Sequence, residues 1–378
     1  MSMYEVYVHI PFCRSKCWYC DFASHPGMEK YFSSYVNALD MEIQSCSDKM
    51  KEKGSLHTVY IGGGTPTVLP KDMLCHIIGS IGEYFGSYDD SLTVEANPGT
   101  VNEDYMLKLL EAGANRISIG VQSFSDRLLK RIGRIHDGAQ AVRAVRDAQS
   151  AGFNNISIDL MYGLPGQSLR DLIDSVNKAL DLGIQHISIY GLQLEDGTVF
   201  SRQKDIGRLE LPDDETEEQM YDYITSVLPS HGFRRYEISN YAQPCFESKH
   251  NLGYWHDVPY VGLGAAAHSY DGIMRYENCS DVTEYIRLVS SGDDPSSQEE
   301  ASDMNIRIEE YAFLALRTAD GISMKSFESK FDRSFNDVYG AVVKKLTGRG
   351  YLKVDGDNVH MTRLGAKWGN VVFREFLL

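Results

Sequence analysis

Six short runs rich in apolar and β-branched residues begin near residues 4, 58, 91, 116, 155 and 186, and helical patterns fill the gaps between them. The first is Tyr4-Glu5-Val6-Tyr7-Val8-His9-Ile10. The helical pattern over 70–85 places Leu74, Ile77, Ile78 and Ile81 on one face. The patterns over 102–112, 138–151 and 169–182 are each followed by a glycine (Gly113, Gly152, Gly183), a usual helix stop. Strand-then-helix alternation of this kind implies parallel strands joined by right-handed crossovers. About six units make a partial or closed α/β barrel; the alternative is a doubly wound open sheet. No GxGxxG follows the first run, which argues against a dinucleotide-binding sheet. Polar and Gly-rich stretches follow the strand ends, where barrel active sites lie.

The first of these stretches is Cys13-Arg14-Ser15-Lys16-Cys17-Trp18-Tyr19-Cys20. Thiolates are soft ligands, and clustered cysteines in a reducing compartment suggest zinc or iron–sulfur chemistry rather than disulfides. A structural zinc site and an ordinary cubane both want four protein ligands. Cys13, Cys17 and Cys20 are three. A [4Fe–4S] cluster on three thiolates leaves one iron open for a small molecule, which is what reduction of S-adenosylmethionine (SAM) requires. The competing reading is a zinc knuckle with a distant fourth ligand. CxxxCxxC resembles the radical-SAM superfamily motif.

The second strand runs into Gly62-Gly63-Gly64-Thr65-Pro66-Thr67. Such a loop allows close backbone approach to a ligand, and it lacks the lysine of a phosphate P-loop. The next turns are Glu95-Ala96-Asn97-Pro98, Gly120-Val121-Gln122-Ser123-Phe124, Gly133-Arg134-Ile135-His136 and Asp159-Leu160-Met161-Tyr162-Gly163-Leu164-Pro165. Together with residues 7–13 and 262–269, they resemble the oxygen-independent coproporphyrinogen III oxidase family over about the first 270 residues. That resemblance implies SAM contacts from Tyr7, Tyr19, Gly63, Gly64, Thr65 and Glu95, with Gln122, Arg134 and Asp159 lining the same cavity. The residue types agree: carboxylates accept from an ammonium or ribose hydroxyls, and an arginine pairs with a carboxylate.

Two departures point within the family. Phe22 stands where the oxidases carry a further cysteine, and their long N-terminal extension is missing here. Further on, His250-Asn251-Leu252-Gly253-Tyr254-Trp255 resembles the HNxxYW mark of the radical-SAM heme chaperones. That resemblance implies heme binding and delivery to respiratory acceptor proteins, with oxidative decarboxylation of coproporphyrinogen as the alternative. Whether SAM is cleaved or only bound stays open. His250 is the candidate iron ligand, with His256 and His268 competing; Tyr254 and Trp255 offer flat faces to a porphyrin. An electron donor such as flavodoxin or ferredoxin is implied for the cluster.

The pattern divides the chain into a core barrel (1–230), an extended segment carrying HNxxYW (231–290) and a mostly helical, winged-helix-like domain (291–378). Residues 203–218, with the acidic Asp213-Asp214-Glu215, read as a linker or lid, and 290–300 as a second linker. A net charge of −16 argues against a nucleic-acid partner and against a polybasic membrane anchor. Cys46, Cys75, Cys245 and Cys279 show no paired spacing and read as reduced thiols. With no secretory leader and no long apolar run, the expectation is a cytoplasmic protein with at most peripheral membrane contact.

Overall fold

The computed structural model describes residues 3–51, 54–298 and 303–378. Residues 1 and 2, the end of the helical pattern that the sequence shows over 29–53, and the end of the second linker at Glu300 lie outside the described residues.

Six parallel strands form the frame: β1 (Met3–Ile10), β2 (Ser55–Gly63), β3 (Ser91–Ala96), β4 (Arg116–Gln122), β5 (Ile156–Tyr162) and β6 (His186–Gly191). Each lies beside the next in sequence. The helices between them are α1 (Phe32–Lys51), α2 (Lys71–Phe85), α3 (Glu103–Ala112), α4 (Gly138–Ala151) and α5 (Leu169–Asp181). Local chemistry sets their ends. Asn102, Asp137 and Ser168 cap α3, α4 and α5, and Gly113 and Gly152 close α3 and α4 in the left-handed region. The twelve-stranded sheet is open, so the barrel is partial.

The acidic run read as a linker is a helix start. Asp213 caps α6 (Asp214–Ser230) through the Thr216 N–H, and Asp214 and Glu215 sit in its first turn, where the helix dipole favours them.

The segment 231–290 is not simply extended. Its short strands β7 (Arg234–Arg235) and β8 (Asn240–Ala242) continue the sheet antiparallel from β6. The HNxxYW residues form a helix, α7 (Lys249–Trp255), capped by Ser248. After it, β9 (Tyr260–Leu263) lies parallel to β1 on the side away from β2, a seventh parallel strand. β10 (His268–Tyr270), β11 (Arg275–Asn278) and β12 (Ser296–Gln298) extend that edge antiparallel. Helix α8 (Val282–Ser290) packs back on α1, where the Tyr285 hydroxyl donates to buried Glu42 at 2.6 Å.

The C-terminal region has its own apolar core, from Ile308 to Phe376, separate from the main one that runs from Tyr4 to Val289. Its order is helix, strand, helix, helix, hairpin: α9 (Met304–Leu316), β13 (Ile322–Ser323), α10 (Met324–Phe331), α11 (Phe335–Gly348), β14 (Leu352–Asp355) and β15 (Asn358–Met361). β15 pairs with both β13 and β14, which is the winged-helix arrangement anticipated from the pattern.

Candidate functional site

Strands β1–β6 alternate strictly. Val6, Val8, Val59, Ile61, Val94, Ile117, Ile119, Ile158 and Ile187 belong to the main core with the helices. The opposite face carries Glu5, Tyr7, His9, Thr58, Tyr60, Glu95, Arg116, Ser118, Ser157, Asp159, His186 and Ser188. Register aligns these side chains into rows: Glu95 lies beside Ser118, Ser118 beside Ser157, and Ser157 beside His186. Buried polar groups need partners, and many here find one another. Ser157 Oγ meets His186 Nδ1 at 2.7 Å, and the Tyr60 hydroxyl donates to Glu95 Oε1 at 2.8 Å.

Above the strand ends is a cavity of about 1120 Å³. Cys13, Cys17, Cys20, Tyr19, Gly63, Gly64, Thr65, Glu95, Gln122, Arg134 and Asp159 all line it, brought together from across the first 160 residues.

The cysteine loop is anchored at both ends. Residues 12–13 pair with 25–26, and the backbone of Trp18 bonds to Ile132 and Phe200. Tyr19 packs on a small apolar cluster built from Leu128, Leu129, Ile132, Met161, Leu164 and Phe200. The Gly63-Gly64-Thr65 loop is stitched to that strand. Gly64 N–H donates to Ile10 O at 2.9 Å and Thr65 N–H to Phe12 O at 2.8 Å. A Cβ on Gly64 would lie 2.6 Å from Phe12 O and 3.1 Å from Cys13 Sγ, and Gly63 has φ +111°. Only glycine allows this approach.

The donor set fits a three-thiolate cluster. All three thiols are free and partly exposed. Among the described residues no three ligands converge on a single-ion site, and a cubane takes thiolates spread around its larger body. Burial pushes the Cys20 thiol up to about 11, with Cys17 and Cys13 adding to it, so iron must displace protons there. Arg134 Nη1 donates to Cys17 Sγ at 3.5 Å, Nη2 donates to Gly120 O, and Nε is buried without a partner among the described residues. This arginine supports the thiolate side of the site.

Glu95 is raised to about 7 by burial, with Asp159 contributing, and Asp159 is itself raised by burial. Two desolvated carboxylates facing one cavity are suited to an ammonium and to hydroxyls. Gln122 sits at a bulge between β4 and β5 with φ 65°, a backbone outlier of the kind that gathers at functional sites.

Two expected residues stand elsewhere. Tyr7 does not line the cavity; its ring stacks on Tyr60, and its hydroxyl bonds His9 Nδ1 at 3.0 Å. His250 is sealed beneath it. Nδ1 meets Thr58 Oγ1 at 2.8 Å, Nε2 meets the Tyr254 hydroxyl at 2.9 Å, and the ring stacks on Tyr60. Burial lowers its pKa to about 3, so it is neutral. With both nitrogens engaged and 1% exposure, His250 offers no lone pair to an iron in this arrangement. His256 and His268 do not line the cavity either. The helix explains the division. His250 and Tyr254, four residues apart, face the sheet, while Asn251 and Trp255 line the cavity.

Sequence reasoning missed Tyr60, Ser118 and Tyr190, which the two-residue alternation marks as sharing a face with Gly62, Gly120 and Ser188. It also missed Glu237, Asn240, Arg317, Trp368 and Phe373, which line the cavity from β-edge and C-terminal segments and carry no local signal.

The radical SAM superfamily model matches residues 7–179, and the HemN C-terminal domain model matches residues 305–368. The chain is 40% identical to the heme chaperone HemW of Lactococcus lactis subsp. lactis (strain IL1403), over 99% of this chain and 97% of that protein. It is 40% identical to the heme chaperone HemW of Bacillus subtilis (strain 168), over 99% of each. Its fold matches the solved structure of coproporphyrinogen III oxidase (HemN) from Escherichia coli with a TM-score of 0.85, covering 100% of this chain and 90% of that one at 20% identity. Full-length identity at this level, carried on a three-cysteine partial barrel and a winged-helix end, places the chain in the HemW family of radical-SAM heme chaperones.

Proposed function

We propose that the protein binds heme in the cavity beside the cysteine loop and passes it to acceptor proteins of the respiratory chain. The observation that carries this is the extent of the cavity. It runs from the cysteine loop past Trp255 of HNxxYW to Trp368 and Phe373 of the C-terminal region. Its volume exceeds the roughly 300–1,000 Å³ of ordinary small-molecule sites, so SAM alone leaves room beside it.

Cys13, Cys17 and Cys20 would hold a [4Fe–4S] cluster, and Gly63, Gly64, Thr65, Glu95, Gln122 and Asp159 would surround SAM. Such a cluster supplies one-electron chemistry toward SAM. Tyr19 and Arg134 position the cysteine loop, and Tyr7 and His250 position the residues around them. The His250 imidazole pins α7 to the sheet and so presents Asn251 and Trp255 to the ligand. A flavodoxin or ferredoxin is the class of donor that would reduce the cluster. A reducing cytoplasmic compartment suits seven free thiols. Among the described residues, no helix is long and apolar enough to cross a membrane.

The test is an anaerobic heme titration of the cluster-reconstituted protein, followed at the Soret band, with transfer to an apo-cytochrome as the second readout. Saturable 1:1 binding and transfer are expected. Absence of binding, together with SAM- and reductant-dependent CO₂ release from coproporphyrinogen III, would replace this reading with the oxidase.

A further inference from the structure

The cysteine loop has two sides. Cys13, Cys17 and Cys20 line the cavity, while Arg14 and Trp18 do not and are exposed on the outer surface. Two short helices flank that outer side, Asp126–Arg131 and Val199–Asp205. Backbone ties them to the loop: Trp18 N–H donates to Ile132 O at 3.1 Å, and Phe200 N–H donates to Trp18 O at 3.0 Å. The Trp18 ring meets Phe200 edge-on at 6.3 Å, and a Cβ on Gly133 would lie 2.7 Å from it. Leu128, Leu129, Ile132 and Phe200 share one small apolar core. Loop and helices therefore present one continuous outer face.

The charge of this face is opposite to that of the chain, which is −16 overall. Arg14, Lys16, Lys130, Arg202, Lys204 and Arg208 are exposed and form no ion pair among the described residues. Arg14 and Lys16 donate only to backbone carbonyls, Gly99 O at 3.0 Å and Phe22 O at 2.9 Å. Of the nearby carboxylates, Asp126, Asp137 and Glu210 already accept from Gly138, Gln140 and Arg131, which leaves Asp21, Asp196 and Asp205. Trp18, Ile135 and Ile206 stand exposed among the cations. Large apolar side chains ringed by one sign of charge mark an interaction surface. An acidic protein is repelled by the chain as a whole and drawn to this face. Trp18 adjoins Cys17 in sequence, so a redox centre seated on Trp18 lies one residue from a cluster ligand and leaves the cavity to its own ligands.

We propose that the face around Trp18 docks the protein that reduces the cluster, an acidic one-electron carrier. This rests on the three-thiolate reading above and deepens it by giving the reductant a place. One electron passes from the reduced carrier to the oxidised cluster; the carrier is oxidised by one electron, and no atom or bond is exchanged. Trp18, Ile135 and Ile206 supply the apolar centre of the contact, and the cations around them set its orientation and its rate of formation. The contact is small and transient, as electron-transfer contacts are.

The experiment titrates the full, cluster-reconstituted chain with an acidic flavodoxin and with an acidic [2Fe–2S] ferredoxin by calorimetry, at low and high salt, and times reduction of the cluster by freeze-quench EPR. Wild type is compared with Lys130→Glu/Lys204→Glu and with Lys325→Glu/Lys344→Glu, which changes net charge equally from exposed sites on α10 and α11. Saturable binding of at least one carrier, weakened by salt, is expected for wild type. The Lys130/Lys204 variant is expected to bind and be reduced roughly ten-fold more weakly and slowly, and the Lys325/Lys344 variant to differ from wild type by less than about two-fold. Dithionite, which needs no docking, is expected to reduce all three alike. Carbodiimide cross-linking of wild type to the carrier is expected to join carrier carboxylates to Lys16, Lys130 or Lys204, and it needs no variant to fold. Failure of both carriers to bind, equal loss in the two variants, or cross-links confined to other lysines overturns the docking face. Binding of wild type, but not of the Lys130/Lys204 variant, to phosphatidylglycerol vesicles with carrier binding unchanged assigns the face to a membrane and also overturns it. Absence of an iron–sulfur band in reconstituted wild type overturns the three-thiolate reading itself.

Discussion

Along β4, Ile117, Ile119 and Val121 face the helices, while Arg116, Ser118 and Gly120 face the interior of the partial barrel. The same division runs through all six parallel strands. Parallel sheets covered on both faces usually read as continuous hydrophobic runs, and these do not. The outer face is held by packing alone. The inner face is held by partners: Ser118 with Asp159, Ser157 with His186, Thr58 with His250 and Tyr60 with Glu95. The partnering is incomplete. Thr93 Oγ1, Arg116 Nε and both Glu5 carboxylate oxygens are buried without hydrogen bonds among the described residues. One face therefore stabilises the fold, and the other spends part of that stability to keep polar chemistry available.

Breaking the functional end should leave the packed face untouched. Cys17→Ala should abolish the iron–sulfur absorption near 400 nm, as should the same change at Cys13 or Cys20, while thermal unfolding of the cluster-free chain stays unchanged. Iron content equal to wild type would contradict the three-thiolate site. The outer face should behave oppositely. Ile119→Ala should cost about 2–5 kcal/mol in denaturant unfolding, with cluster assembly retained in the folded fraction.

The inner face carries a pH signature. Burial raises Glu5 from 4.5 to about 8, so the folded chain binds a proton that the unfolded chain has released. Stability from this group is complete below pH 4.5 and is lost as pH rises through 8. Glu5→Gln should remove that slope and stabilise the protein above pH 8 by on the order of 2–4 kcal/mol. An unchanged stability–pH curve would mean that Glu5 is solvated or paired. The smallest effect is expected at His250. His250→Gln should weaken heme binding only a few-fold and leave the Soret maximum in place, because His250 seats α7 rather than ligating iron. A shifted Soret band would show that the helix opens and delivers the imidazole.

The strand–helix alternation, the cysteine spacing, the glycine loop after β2 and the winged-helix order were all legible in the chain. Each depends on residues within one turn, one strand or one loop, where side-chain direction follows backbone period. The site residues at strand ends were legible for the same reason: parallel strands bring their C-terminal ends to one side whatever the details of packing. HNxxYW was legible as a motif, while the side each of its residues faces was not. Its spacing defines two helix faces, but only packing decides that the His250 face meets Thr58, 192 residues away in sequence, and its neighbour Tyr60.

Tertiary structure alone decided three further things. It inserted β9 beside β1, where Gly262 accepts the close approach of the His268 backbone. It set Gly253 against the Glu5 carboxyl, which a side chain there would displace. It brought Arg317, Trp368 and Phe373 to the cavity from a region with a separate core. These contacts join segments far apart in the chain, and no local period encodes them. They exist because the apolar faces of both regions, once buried, leave one arrangement in which the remaining polar groups meet.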